Sequence, residues 1–216
     1  MVNMGEARVL EEYYTYGDYK LWDDGLRWEL IDGDAFCMSP GPGAVHQLLS
    51  GDLFLELRNY FKNGECQVFY APFDVMLPRG NEPSLREDPR QARADMQEDE
   101  IDTVVQPDIM ILCDKSKLQH NGIKGAPDVI IEILSPSTTR RDFDDKFRLY
   151  ERAGAKEYMI VDPLNRVVFA HRRDSGGLFS WRKVYAADDV LEFGMFQDLK
   201  IPLGPVWESI RDFPVG

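Results

Sequence analysis

The chain lacks several things, and each absence excludes a class of protein. Nowhere in its 216 residues does an apolar stretch approach the ~20 residues that a membrane-spanning helix requires. The N-terminus, Met1-Val2-Asn3-Met4-Gly5-Glu6, has no basic segment followed by an apolar one, so no secretory signal is expected. Cysteine is scarce: Cys37, Cys66 and Cys113 are widely spaced and form no CxxC pair. Neither a zinc site nor a disulfide framework is expected from them, and reduced cytoplasmic thiols that partly fill the core are. Positive charge is in deficit, with 25 Lys and Arg against 38 Asp and Glu and a net charge of −13. That argues against broad electrostatic capture of nucleic acid, while leaving room for a local basic groove or a metal-mediated phosphate contact. No Ser-His-Asp order supports a hydrolase triad, Gly41 and Gly43 do not form a phosphate loop, and there is no internal repeat.

At 44% hydrophobic and 12% aromatic, the sequence describes a globular domain with a sizeable core. A single domain over 1–216 is expected. A short helix is predicted around 11–16. Residues 27–38 read as strand, Asp32-Gly33 turn and strand, an N-terminal hairpin. Ser39-Pro40-Gly41-Pro42-Gly43 breaks the structure before a helix over 44–61, whose apolar face carries Val45, Leu48, Leu49, Leu53, Leu57 and Phe61. A strand is predicted over 68–77, with Pro72 marking an edge or a bulge. Residues 79–103 hold four Arg against eight Asp and Glu with few aliphatics, which reads as a solvated, mobile insertion. Buried strands are predicted over 104–113, 128–134 and 157–163, a loop over 114–126, and a helix over 141–153 that ends at Gly154. Strand, helix and strand over 128–163 form a βαβ-like crossover, which favours parallel pairing of its strands. Residues 166–185 read as a C-terminal antiparallel hairpin around Gly176-Gly177.

The chemistry lies in the second of these buried strands. Glu132 interrupts the apolar run Val129-Ile130-Ile131-Glu132-Ile133-Leu134. Burying a carboxylate there costs several kcal/mol unless something pairs with it. Asp108, after Pro107, stands near the start of the preceding buried strand, 24 residues earlier. In the following helix Phe143, Phe147, Tyr150 and Ala153 make an apolar stripe, and Lys146 falls on the same side. Asp128 shares a strand face with Glu132 but lies roughly 13 Å along the strand, which suits a cap at the strand entrance better than a shared ion. Two carboxylates on adjacent strands form a hard-oxygen site for Mg²⁺. A neighbouring lysine can orient or deprotonate a water, or stabilise a phosphorane-like charge, an arrangement that suits phosphodiester hydrolysis. The same residues also fit a purely structural arrangement, a buried Glu132–Lys146 ion pair with Asp108 as a turn residue.

The motifs Gln106-Pro107-Asp108, Gly125-Ala126-Pro127-Asp128-Val129-Ile130-Ile131-Glu132-Ile133-Leu134-Ser135-Pro136-Ser137-Thr138, Asp142…Lys146…Tyr150 and Glu157-Tyr158-Met159-Ile160-Val161-Asp162-Pro163 resemble the Uma2 family of endonucleases. Glu29-Leu30-Ile31-Asp32-Gly33, Ser39-Pro40…His46 and Ala71-Pro72-Phe73-Asp74-Val75 are similar to that family too. The resemblance spans about residues 10–190 and implies the restriction-endonuclease-like PD-(D/E)xK superfamily. It therefore implies an α/β (α+β) fold, with a mixed β-sheet flanked by helices, and a Mg²⁺-dependent nuclease site. Asp108 matches the aspartate of PD and Glu132 the acidic residue of (D/E)xK. The lysine of that motif is displaced, because Leu134 stands two residues after Glu132 and Lys146 takes the role from the following helix.

The expected function is thus a Mg²⁺-dependent (or Mn²⁺-dependent) cytoplasmic endonuclease acting on DNA, with Asp108 and Glu132 as metal ligands and Lys146 as the activating group. His46 is a candidate proton carrier, and Glu56 and Asp74 are candidate additional metal ligands. The alternatives are a binding or regulatory protein that keeps the nuclease fold without turnover, and a hydrolase of another phosphate ester. The apolar segment 202–207 and exposed hairpins would suit a homodimer.

Overall fold

The computed structural model describes residues 9–10, 12–38, 41–79, 97–136 and 138–214. In chain order the elements are β1 (Val9–Leu10), α1 (Tyr16–Tyr19), β2 (Trp28–Ile31), β3 (Asp34–Cys37), α2 (Ala44–Tyr60), β4 (Gln67–Tyr70) and β5 (Asp74–Met76). Then come β6 (Val104–Val105), β7 (Ile109–Leu112), β8 (Gly122–Lys124), β9 (Val129–Ile133), α3 (Thr139–Phe143) and α4 (Asp145–Ala153). The chain closes with β10 (Glu157–Asp162), β11 (Val167–Arg172), β12 (Trp181–Tyr185), β13 (Val190–Glu192), β14 (Lys200–Pro202) and α5 (Leu203–Glu208). These elements form two compact units, and helices flank mixed sheets as expected of an α+β chain.

The first unit takes Met1–Gly41, Asp74–Gln106 and Lys117–Ala126. Its sheet runs β1-β3-β2-β6-β5-β8, antiparallel except for the parallel pair β5–β8. The β2–β3 hairpin turns at Asp32 and Gly33, whose φ values of 54° and 83° are both positive. A two-residue turn of that hand matches the twist of the flanking strands, which is why an Asp-Gly pair stands there. A small core of Tyr16, Trp28, Leu30, Ala35, Met76, Ile101 and Val104 closes one side. The helix predicted around 11–16 begins instead at Tyr16, because the Asp18 carboxylate accepts the Thr15 N–H at 2.9 Å and fixes the start there. Of the insertion predicted over 79–103, residues 80–96 lie outside the described residues. Its described end is not solvated throughout, since Ile101, Asp102 and Thr103 are buried and Ile101 joins the core.

The second unit takes Pro42–Phe73, Pro107–Ser116 and Pro127–Gly216. Its sheet runs β12-β11-β10-β9-β7-β4. Strands β9 and β10 are parallel, as a βαβ crossover demands, and every other pair in this sheet is antiparallel. Leu49, Leu53 and Leu57 of α2 and Leu203, Val206 and Trp207 of α5 pack on one face, against Ile109, Ile111, Val129, Ile131 and Ile133. The β13–β14 pair adds Leu191 and Ile201 to that core. α4 contributes Lys146, Leu149 and Tyr150 as its buried residues.

Four further expectations need correction. The predicted strand 68–77 is two strands in different sheets, β4 and β5, divided at the cis Ala71–Pro72 bond. The predicted strand 104–113 is likewise divided, into β6 and β7, at Gln106-Pro107, where proline has no N–H to give a ladder. The predicted loop 114–126 contains β8, paired with β5. Finally, Cys66 and Cys113 are joined in a disulfide rather than reduced. They lie one step beyond the Gln67↔Leu112 pair of β4–β7, with Cα atoms 4.0 Å apart, a register that their 47-residue separation hides in the sequence.

Candidate active site

Antiparallel pairing of β7 with β9 sets Ile109 opposite Ile131, so one step further Asp108 faces Glu132. The Asp108 N–H points at Glu132 Oε2 at 3.4 Å, and the Ile133 N–H donates to Asp108 Oδ2 at 2.7 Å. Along β9 the side chains alternate: Val129, Ile131 and Ile133 enter the α2 core, and Glu132 turns to the opposite face. That face receives α4. Lys146 Nζ lies 2.9 Å from Glu132 Oε1, and Tyr150 donates its hydroxyl to the same oxygen at 2.7 Å. Asp142, one turn before Lys146, holds its carboxylate 3.9 Å from the ammonium. Glu132, Asp142, Lys146 and Tyr150 are all buried. A charge-assisted network of this kind is what makes a buried carboxylate tolerable in a strand.

The helical stripe differs from the predicted one. Residues 139–153 form two helices meeting at Asp144, whose φ of −119° and ψ of −70° break the regular turn. Phe143 is left 40% exposed, and the buried face of α4 is Lys146, Leu149 and Tyr150. The side predicted for Lys146 is nevertheless the side it occupies. Tyr150, one turn beyond Lys146, received no role from the sequence; its i+4 spacing was the available signal.

His46, on the first turn of α2, places Nε2 3.0 Å from Asp108 Oδ2. Its Nδ1 is buried without a hydrogen-bond partner. The ring therefore approaches Asp108 on the oxygen that also accepts the Ile133 N–H, leaving Oδ1 outside both contacts. Glu56 is exposed, ten residues further along α2 and so about 15 Å from His46 along the axis. Among the described residues it does not join Asp108 and Glu132 in a group of three that could hold a metal. Asp74 belongs to the first unit, where Oδ1 accepts hydrogen bonds from Gln106 at 2.8 Å and Tyr19 at 3.0 Å. Burial raises the Asp74 carboxyl above its ordinary value, the two donors pull it back, and the charge of Glu29 adds to the rise. Asp128 is held at the strand entrance by the Cys113 N–H at 2.7 Å and by Lys156 at 2.7 Å.

Whether these residues suit Mg²⁺ can be judged from the donors. The ion favours oxygen ligands and usually binds one or two carboxylates while keeping several waters. Asp108 and Glu132 supply two carboxylates on one face of a strand pair, which fits. Among the described residues no group of three or more His, Cys, Asp or Glu side chains could hold a metal by itself, so water and substrate oxygens would complete the shell.

Comparison with known proteins gives the class first. The chain shares its fold, at a TM-score of 0.67, with a protein titled a putative nuclease belonging to DUF820 from Anabaena variabilis ATCC 29413. That likeness covers 91% of this chain and 98% of the other at 17% identity. The model of the Uma2 family, described as "Putative restriction endonuclease", matches residues 10–84 and 89–204. The chain belongs to the Uma2 family. It is also 25% identical over 180 residues to "Uncharacterized protein slr1290" of Synechocystis sp. (strain ATCC 27184 / PCC 6803 / Kazusa), covering 81% of this chain and 82% of that one.

Proposed function

We propose that this protein is a Mg²⁺-dependent endonuclease that hydrolyses DNA phosphodiester bonds. The observation that carries this reading is the register pair Asp108–Glu132, with Lys146 and Tyr150 holding the far oxygen of Glu132. Asp108 and Glu132 would hold the ion. Such an ion would supply Lewis-acid polarisation of a phosphoryl oxygen and activation of a water at this place. The chain's own residues prepare that place. Lys146 and Tyr150 fix Glu132 Oε1, so that Oε2 is the oxygen turned toward Asp108. Lys146 also places a positive charge 2.9 Å from Glu132 Oε1, which offsets the cost of burying that carboxylate. His46 and the Ile133 N–H hold Asp108 Oδ2 and orient the carboxylate, in the way outer hydrogen bonds orient metal-binding groups.

A direct test compares Asp108→Asn and Glu132→Gln with the unaltered protein on plasmid DNA in Mg²⁺ or Mn²⁺. Both should lose cleavage by at least about a thousandfold while the circular dichroism spectrum persists. Full activity in both variants would sink this site. A second reading, a nuclease-fold binding protein without turnover, is favoured by one observation: Glu132 is only 3% exposed. Absence of cleavage and of metal binding in the unaltered protein would support it.

A further inference from the structure

We propose that the first unit carries a binding site for an alkylated ammonium group, of the choline or trimethyllysine type, in an aromatic box built from residues 14–28. The box is a cavity of about 350 Å³ lined by Tyr14, Leu21, Trp22, Asp23, Asp24 and Trp28. Trp22 meets each of the other two rings edge to face. Tyr14 and Trp22 have centroids 5.1 Å apart at 82°, and Trp22 and Trp28 are 5.5 Å apart at 68°. All three rings belong to the wall of this cavity, with Trp22 in contact with both of the others. A π face carries negative potential and attracts a cation within ~6 Å of the ring centroid, most strongly for tryptophan.

Charge decides among possible occupants. Asp23 and Asp24 line the cavity, and among the described residues no Lys or Arg does. Asp24 is fixed there: Oδ2 accepts the Trp28 indole N–H at 2.9 Å, and Oδ1 accepts the Leu26 N–H at 2.9 Å. This locks the Trp28 ring and leaves a carboxylate charge at its edge. The nearest upstream ammonium, Lys20, is engaged with Asp99 instead. Two carboxylates repel a phosphate, so a nucleic-acid backbone is a poor occupant. An alkylated ammonium meets all three features. Its dispersed charge is cheaply desolvated, its methyl groups suit the rings, and its cationic centre suits Asp23 and Asp24. Leu21, 77% exposed beside the box, extends the apolar lining for a ligand's stem. Every residue lies in the first unit, so the inference does not rest on the nuclease reading.

The test uses the full chain in titration calorimetry, with tryptophan emission followed in parallel. The probes are choline, its neutral isostere 3,3-dimethyl-1-butanol, and an N-acetylated trimethyllysine amide. Choline or the lysine derivative should bind saturably and the neutral isostere should bind at least about tenfold more weakly. Tighter binding of the lysine derivative than of choline assigns the site to a protein side chain, and the reverse assigns it to a free metabolite. Trp22→Leu should lower the affinity by about tenfold, and the exposed Asp23→Asn, which leaves the rings in place, by several-fold. Equal binding of cation and isostere would overturn the proposal. So would no saturable binding of either cation, or undiminished affinity in both variants.

Discussion

Glu132 and Asp74 are both carboxylates drawn out of water, yet one is bonded to an ammonium group and the other to neutral donors, with the Arg27 charge acting on it more weakly than burial. Glu132 has Lys146 and Tyr150 on a single oxygen and stands fully inside a five-residue buried strand. Asp74 heads β5 with Tyr19 and Gln106 as its partners, and its carboxyl is raised because those donors do not offset the burial. The contrast separates two roles. A carboxylate that must stay ionised in a dry strand needs a cation within reach, whether from the protein or from solution. A half-buried one can survive on dipoles, with Tyr19 in turn pushed upward by burial and by the nearby Asp74 charge.

The largest effect expected from this contrast is at Lys146. Replacing it with Met leaves Glu132 buried without its counter-charge and should cost about 3–5 kcal/mol in urea unfolding. The double variant Glu132→Gln, Lys146→Met should recover most of that loss. Recovery of stability together with undiminished cleavage would mean that the pair is only structural. Reducing the Cys66–Cys113 bond should cost up to about 4 kcal/mol by the loop-entropy argument for its 47-residue separation. A thiol titration of the unfolded, unreduced protein should find one reactive cysteine, Cys37; three would contradict the pairing.

A third ionisable group extends the comparison, because among the described residues it has no counter-charge. His171 is packed among Phe147, Tyr158 and Phe179, and burial, aided by the Arg182 charge, pushes its pKa down to about 4. A folded-state value below the unfolded one means that the unfolded chain takes up the proton first. Stability is then fully present above about pH 6.5 and is lost as the pH falls toward 4, on the order of 2 kcal/mol. His171→Phe should flatten that limb of the stability profile, and an unchanged limb would show the ring to be solvated. The smallest effect is at Asp74. Its raised carboxyl contributes stability below its unfolded value and loses it as the pH rises through the folded one. Asp74→Asn should therefore match or exceed the native stability at pH 7, within about 1 kcal/mol. A loss as large as that for Lys146→Met would erase the distinction between the two carboxylates.

The parts of the molecule written in local sequence were legible. The Asp-Gly hairpin, the leucine face of α2, the Gly154 terminus with φ of 94°, and the parallel β9–β10 pair all follow from spacing and turn chemistry. Apolar runs did not reveal that they change sheets at Pro72 and Pro107, because each half keeps the same β-branched and aromatic character on both sides of the break. The Cys66–Cys113 pair depends on strand register across 47 residues, which no local pattern encodes. At the site, the anomaly of a carboxylate within an apolar strand pointed to Glu132, and helical spacing pointed to Lys146. The contact of His46 with Asp108 is a matter of where α2 begins relative to β7, so the sequence could name the residue without fixing its partner.

The measurement that bears most directly on the central claim is Mg²⁺ and Mn²⁺ titration calorimetry of the unaltered protein and of Asp108→Asn. The account predicts saturable binding that disappears in the variant while its melting temperature stays close to the original. Binding of equal strength in both, or none in the unaltered protein, would contradict it.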